Sequence, residues 1–331
     1  MMSALAHLLK TSPAAQTLAD SIVVHPEIAQ EPRATRAVLA QALNILLFAD
    51  LMDRVPTARA YVADCQAAGR KLVFDHGALR TVALEGMGAL PAGEAAITRV
   101  LLPLGYRMNE VYPLDRLGMT GRSYTHADYP EDLPQFFLSE LHPERFSDGF
   151  AATVARVTAS SRDPLDAAAK TRLARLETEG ELPLEDAQAL LPALVRCFDR
   201  QHADPTLADY ELLLAESAEM AWIATEGNAF NHATDRVPDL SALVDAEKAI
   251  GRPLKETVEV SRSGRVLQTA YRADRITRPF VGADGKTMAR EVPGSFFEFI
   301  QRAKLPDGRL DLAFDASNAQ GIFKMTAASA C

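Results

Sequence analysis

A seven-residue pattern occurs twice in this chain of 331 residues. Phe74-Asp75-His76-Gly77-Ala78-Leu79-Arg80 and Phe230-Asn231-His232-Ala233-Thr234-Asp235-Arg236 both read Phe, Asp or Asn, His, three free positions, Arg. Recurrence of this kind marks a duplicated supersecondary unit, so each copy should open the same set of elements. Around the first copy, 71–82 reads as a strand, 94–104 as a helix, and 107–114, 117–126 and 133–141 as extended chain, which is the order β, α, β, β, β. The order returns with a strand over 229–236, a helix over 239–250 and strands near 257–262, 265–273 and 295–302. Ser263-Gly264 and Asp284-Gly285 supply turns. The fourth strands correspond as well: Pro134-Gln135-Phe136-Phe137-Leu138 against Pro293-Gly294-Ser295-Phe296-Phe297-Glu298, with one residue of slack.

The remainder is helical in pattern. Residues 1–70 are rich in Ala and Leu, with apolar positions 37, 39, 40, 43, 46 and 47 at helical spacing; Pro32, beside Glu31, suits the first turn of a helix. A second helical block covers 146–225, bounded or broken by Pro183, Pro192 and Pro205. The expected organisation is an N-terminal helical segment 1–70, a first βαβββ module 71–145, a helical insertion 146–225, and a second module with a C-terminal loop over 226–331. This is an α+β chain whose two paired modules curl into an open cup, the architecture of the vicinal-oxygen-chelate superfamily, in which divalent metals sit in the cup.

Several function classes are disfavoured. A formal charge of −9 and a pI near 5.4, without a Lys/Arg run longer than a pair, repel a phosphate backbone, so no nucleic-acid partner is expected. The most apolar stretch, 39–52, carries Gln41, Asn44 and Asp50 and falls short of the ~20 apolar residues of a membrane span. Cys65, Cys197 and Cys331 are odd in number and far apart, and the N-terminus lacks a basic leader, so a cytoplasmic protein with reduced thiols is expected. No GxSxG elbow, Walker loop or HExxH motif occurs.

Strand geometry makes the repeat chemical. Alternate side chains share a face, so His76, Ala78 and Arg80 point together, as do His232, Thr234 and Arg236. If both strands line one cup, the two imidazoles meet. Glu298 lies in an aromatic run, Phe296-Phe297-Glu298-Phe299-Ile300, where an unpaired carboxylate is costly and wants a cation. Two imidazoles and a carboxylate form the facial triad of non-haem Fe(II) oxygenases. A lone strand histidine usually serves packing; two at matching repeat positions point to a ligand pair. Glu140 is the competing carboxylate and a candidate fourth ligand. His126 and His142 flank the first module's last strands as peripheral candidates, and His7, His25 and His202 read as solvated. Arg236 follows Asp235 and reads as a structural ion pair.

The motifs Phe74-Asp75-His76 with Arg80, Glu226-Gly227-Asn228-Ala229-Phe230-Asn231-His232, and Phe296-Phe297-Glu298 together resemble the 2-oxoadipate dioxygenase/decarboxylase family over about residues 70–325. The resemblance implies that His76, His232 and Glu298 bind Fe(II), or another divalent metal, and that Arg80 receives the far carboxylate of a 2-oxo diacid. It also implies that a C-terminal loop including Ser317 and Asn318, ahead of Gly321-Ile322-Phe323, contacts substrate. A guanidinium suits the Arg80 role because it stays charged and binds carboxylates bidentately. Gln268 lies on an expected cup strand, in reach of a chelated substrate. The implied reaction consumes O2 and 2-oxoadipate and yields 2-hydroxyglutarate and CO2. A glyoxalase-like metal-dependent isomerase or lyase, favoured if Glu140 joins the ligands, and a non-catalytic small-acid-binding protein are the alternatives. The residues leave a homodimer open.

Overall fold

The computed structural model describes residues 2–315. Its strands are β1 (Ala34–Thr35), β2 (Phe74–Val82), β3 (Tyr106–Leu114), β4 (Met119–His126), β5 (Gln135–Leu141), β6 (Glu181–Leu182), β7 (His232–Arg236), β8 (Glu259–Val260), β9 (Val266–Ala270), β10 (Arg275–Val281), β11 (Thr287–Pro293) and β12 (Phe296–Arg302). Eight of them form one curled sheet in the order β3-β4-β5-β2-β7-β12-β9-β8. Each half is a βαβββ unit, with the helices Ala95–Leu101 and Leu240–Ala249 after the first strands. In each half the first strand pairs in parallel with the last: β2 with β5, and β7 with β12.

The halves meet where β2 pairs antiparallel with β7. His76 stands opposite Thr234, Gly77 opposite Ala233, and Ala78 opposite His232. Shifting by the 156-residue repeat interval converts the first of these pairs into the last, so a local two-fold axis passes through the Gly77–Ala233 pair. This axis brings the two histidines, distant in sequence, to neighbouring positions on one face.

The opposite face of the sheet is the core. Phe74, Phe136, Phe230, Phe297 and Phe299 are buried there against the helices Arg36–Arg54 and Pro56–Ala67, which contribute Phe48 and Tyr61. Gly77 is required at its position. A Cβ there would lie 2.3 Å from the Phe230 ring.

Three local expectations are revised. Pro32 precedes a helix that starts at Arg36 behind a Thr35 cap; Pro13, Pro26 and Pro56 open α-helices, where a missing N–H costs nothing. Pro192 lies inside the helix Leu184–Arg196, exposed, while Leu190, Leu191 and Leu194 on the buried face pack the helix against Arg36–Arg54; that burial offsets the lost backbone bond. β10 and β11 leave the cup and form a separate hairpin around Asp284-Gly285, with Gly285 at φ +76°. No helix among the described residues is long and apolar enough to cross a membrane.

Candidate metal centre

β2, β7 and β12 lie side by side, and their cup-facing residues make the site. His76 Nε2 and His232 Nε2 each lie 3.2 Å from Glu298 Oε2 and 3.4 Å from each other. All three residues are buried, and among the described residues they are the one His/Cys/Asp/Glu group close enough to share an ion. Ligands ~2.1 Å from a common cation stand about 3.0 Å apart at octahedral angles and about 3.4 Å apart at tetrahedral ones. The triangle therefore fits a metal, with the sides away from the three ligands left for other donors.

The carboxylate is locked from both ends. Thr234 Oγ1 donates to Glu298 Oε2 at 2.7 Å, and Gln268 Nε2 donates to Oε1 at 2.9 Å. Burial alone would raise the Glu298 pKa, but the facing His232 and His76 hold it well below the usual carboxylate range. His76 is fixed through its other nitrogen: Nδ1 lies 2.8 Å from Asp75 Oδ1, so the neutral ring donates there and leaves the Nε2 lone pair toward the centre. Burial disfavours a charged His76, yet Asp75 and Glu298 raise its pKa; for His232 burial prevails and lowers it. His232 stacks on Phe296 with ring centroids 4.8 Å apart.

The sheet register shows why a second carboxylate, as a fourth ligand, is absent from this group. Thr234 pairs with Glu298 in the second half, and its repeat counterpart Ala78 pairs with Phe137 in the first. The position equivalent to Glu298 is thus a phenylalanine. Glu140 lies three residues further on, so the pleat turns it to the opposite face, where Arg122 Nη1 at 2.7 Å and the Glu94 N–H at 2.8 Å take it. Ala78, Tyr112, Phe137 and Phe314 form an apolar cluster facing the triad.

Arg80 is fully buried four residues beyond His76 on the same strand face, with its guanidinium 4.9 Å from the Trp222 ring. Burial lowers its pKa to about 10 against the opposing pull of Glu219, so it stays charged at neutral pH. Arg236, its repeat counterpart, pairs with Asp75 at 3.7 Å rather than with its neighbour Asp235, which Tyr61 and Arg70 engage. His126 lies outside the ligand group and accepts from the Asp128 and Tyr129 amides; His142 pairs with Thr120 and Glu144. His202, read as solvated, is buried and lies 3.0 Å from the Ala224 carbonyl. Ser317 and Asn318 lie outside the described residues.

Sequence reasoning missed Thr234 as a partner of the carboxylate, Phe137 as the counterpart of Glu298, and Arg302, whose Nη2 donates to Asp75 Oδ1 at 2.9 Å. Thr234 was accessible, because it shares the His232 face. The other two depend on strand register, which no local pattern carries.

The chain is similar in sequence and fold to several known proteins. A crystal structure of a glyoxalase superfamily protein from Ralstonia eutropha JMP134 superposes with a TM-score of 0.91 at 57% identity, covering 94% of this chain and 98% of that one. The hydroxyglutarate synthase of Oryza sativa, solved in complex with 2-oxoadipate, shares the fold with a TM-score of 0.68 at 19% identity, over 88% of this chain and 93% of the other. The chloroplastic 2-oxoadipate dioxygenase/decarboxylase of Arabidopsis thaliana is 25% identical over 323 residues, 88% of this chain and 77% of the relative. Since the family model for 2-oxoadipate dioxygenase/decarboxylase matches residues 44–324, including every member of the triad, this chain belongs to that family.

Proposed function

We propose that this protein is an Fe(II)-dependent dioxygenase/decarboxylase that converts 2-oxoadipate, or a close 2-oxo diacid, with O2 into 2-hydroxyglutarate and CO2. The overall change balances: one carboxylate carbon leaves as CO2, one oxygen atom of O2 joins the acid released from the keto carbon, and the other becomes the new hydroxyl. Supporting it most directly is the buried His76–His232–Glu298 triangle, three protein ligands with Phe137 where a second carboxylate, as a fourth ligand, would stand. A bound Fe(II) would supply a chelation site for the 2-oxo acid and one-electron chemistry with dioxygen.

The chain's own residues supply the rest. Gln268 and Thr234 hold Glu298 by one hydrogen bond to each oxygen, which favours a single carboxylate oxygen toward the ion. The apolar wall of Ala78, Tyr112, Phe137 and Phe314 excludes water from the reacting end of the substrate. Arg80 lies ~13 Å along the strand from His76, Cα to Cα, on the same strand face, which in this reading lets a six-carbon diacid have one end at the metal and its far carboxylate on the guanidinium. Ser317 and Asn318 complete the substrate contacts in this reading, and Gln268 serves the chelated end through Glu298.

The test is anaerobic loading with Fe(II), addition of 2-oxoadipate, and admission of O2. Equal consumption of O2 and release of CO2, with 2-hydroxyglutarate as product and loss of all three in His76→Ala, is the expected outcome. Metal and 2-oxoadipate binding without O2 uptake would overturn the oxygenase reading and leave a binding protein.

A further inference from the structure

Asp75, which fixes His76, is itself held by a buried arginine. Arg302 Nε and Nη2 grip the Asp75 carboxylate at 2.9–3.1 Å, and both side chains are essentially without solvent exposure. The remaining nitrogen of Arg302, Nη1, donates to the carbonyls of Asp311 at 3.0 Å and Ala313 at 2.7 Å. Those residues belong to the strap 303–315 that follows β12. The strap's Phe314 ring lies 4.9 Å from the Arg302 guanidinium and 4.8 Å, edge-on, from the His76 ring. The contacts His76–Asp75–Arg302–Phe314–His76 therefore close a ring, one side of which is a metal ligand and the other the strap.

The strap also ties the two outer strands of the sheet. The Phe314 N–H donates to Tyr112 Oη on β3, and the Asp315 carboxylate accepts from the Arg262 N–H just beyond β8. Arg265 Nε holds Asp311 at 2.6 Å. β3 and β8 are the sheet's two edges, so residues 314 and 315 link one edge to the chain just past the other, with the Phe314 ring against His76.

The repeat shows that this pair is not demanded by the fold. Asp75 corresponds to Asn231, and carrying the β5–β12 alignment along to Arg302 reaches Leu141. The half-site built on those residues forms the same strands without a charged pair, and His232 Nδ1 has no hydrogen-bond partner among the described residues. A buried ion pair contributes little stability relative to apolar residues of the same volume, so its presence on one side only calls for another role.

We infer that Arg302 is a positioning residue that couples metal binding to closure of the strap: its fork holds Asp75, and through it His76, in ligating orientation only while the 303–315 segment is docked. The inference rests on the triad being the metal site. By linkage, an ion that stabilises His76 in its docked orientation stabilises the strap by the same free energy.

Anaerobic titration with Co(II), read by its visible d–d bands, together with hydrogen–deuterium exchange of peptides covering 303–315, tests it. In the wild-type chain Co(II) should produce bands that His76→Ala lacks and should slow exchange in the strap. Arg302→Lys, which keeps the charge and loses the fork, should weaken Co(II) ~10–100-fold, alter the bands and abolish the metal-dependent protection. Tyr112→Phe leaves the Asp75, His76 and Arg302 side chains unaltered and removes the hydroxyl that accepts from the Phe314 N–H and donates to Glu110; it should speed strap exchange and weaken Co(II) several-fold, and it keeps the test available if Arg302→Lys does not fold. Absence of His76-dependent bands in the wild-type chain would remove the metal site itself. Normal bands and affinity in Tyr112→Phe despite a loosened strap would overturn the coupling and leave the metal site standing.

Discussion

Replacing Gly77 with alanine drives a methyl carbon into the face of Phe230, at 2.3, 2.4 and 2.8 Å from three ring atoms, where ordinary contacts begin near 3.4 Å. The ring must retreat by about 1 Å, and it is 1% exposed with the rings of Phe74, Phe136 and Phe198 around it at 5.8–6.5 Å between centroids. Overpacking of this kind costs about 1–3 kcal/mol. For a chain of this length that is a fall in melting temperature of roughly 1.5–4 °C. The displacement also reaches the centre, because Phe230 lies two residues before His232 and the Phe230 carbonyl accepts from Ser295 beside β12. Urea unfolding of wild type, Gly77→Ala, Phe230→Leu and the double variant separates the terms. Gly77→Ala should cost at least 1 kcal/mol in the wild-type background and markedly less when position 230 is leucine, a coupling of ~1 kcal/mol or more. Equal cost in both backgrounds would refute the claim that the glycine exists to seat Phe230 across the two-fold axis.

Other outcomes follow from the same coordinates. Arg80→Gln should retain the metal, raise the KM for 2-oxoadipate about 10–100-fold through loss of a charge-assisted pair, and leave 2-oxohexanoate, which lacks the far carboxylate, nearly unaffected; a parallel loss for both acids in steady-state kinetics would remove Arg80 from substrate recognition. Glu140→Gln should keep full metal occupancy by elemental analysis while lowering stability by about 1–3 kcal/mol, since it breaks the pairing with Arg122 and not a ligand. Burial lowers His126 and His202 to about 4 from 6.5. Between those values the unfolded chain binds more protons than the folded one, so stability falls on acidification from pH 6.5 toward 4, by up to about 3 kcal/mol for each group. His202→Gln should remove roughly half of that dependence between pH 7.5 and 5 in urea midpoints; an unchanged slope would contradict the buried, neutral His202.

How much was legible from residues alone depends on the range of the interaction that carried it. His76 and His232 were readable as partners because a repeated motif reports a repeated strand, and alternation within a strand places every second side chain on one face. Glu298 was readable because a carboxylate in a run of phenylalanines needs a compensating charge. Glu140 was not separable from it by those rules. It too lies on a fourth strand near aromatic residues, and only the pairing of Ala78 with Phe137 reveals that the pleat turns it away. His202 read as solvated because it lies in a helical or loop region, whereas the structure buries it against the Ala224 carbonyl, 22 residues further along the chain.

Arg302 marks the same boundary. Nothing near it in sequence announces Asp75, 227 residues earlier, or links either of them to the strap. Composition, periodicity and the doubled motif pointed to a paired α+β cup, the two imidazoles and a choice of two acids, since these follow from rules acting within a few residues. The register across β2, β7 and β12, the exclusion of Glu140 and the Asp75–Arg302–Phe314 ring were settled by tertiary structure, because a one-residue slip in strand pairing exchanges the faces of a strand while leaving its local pattern unaltered.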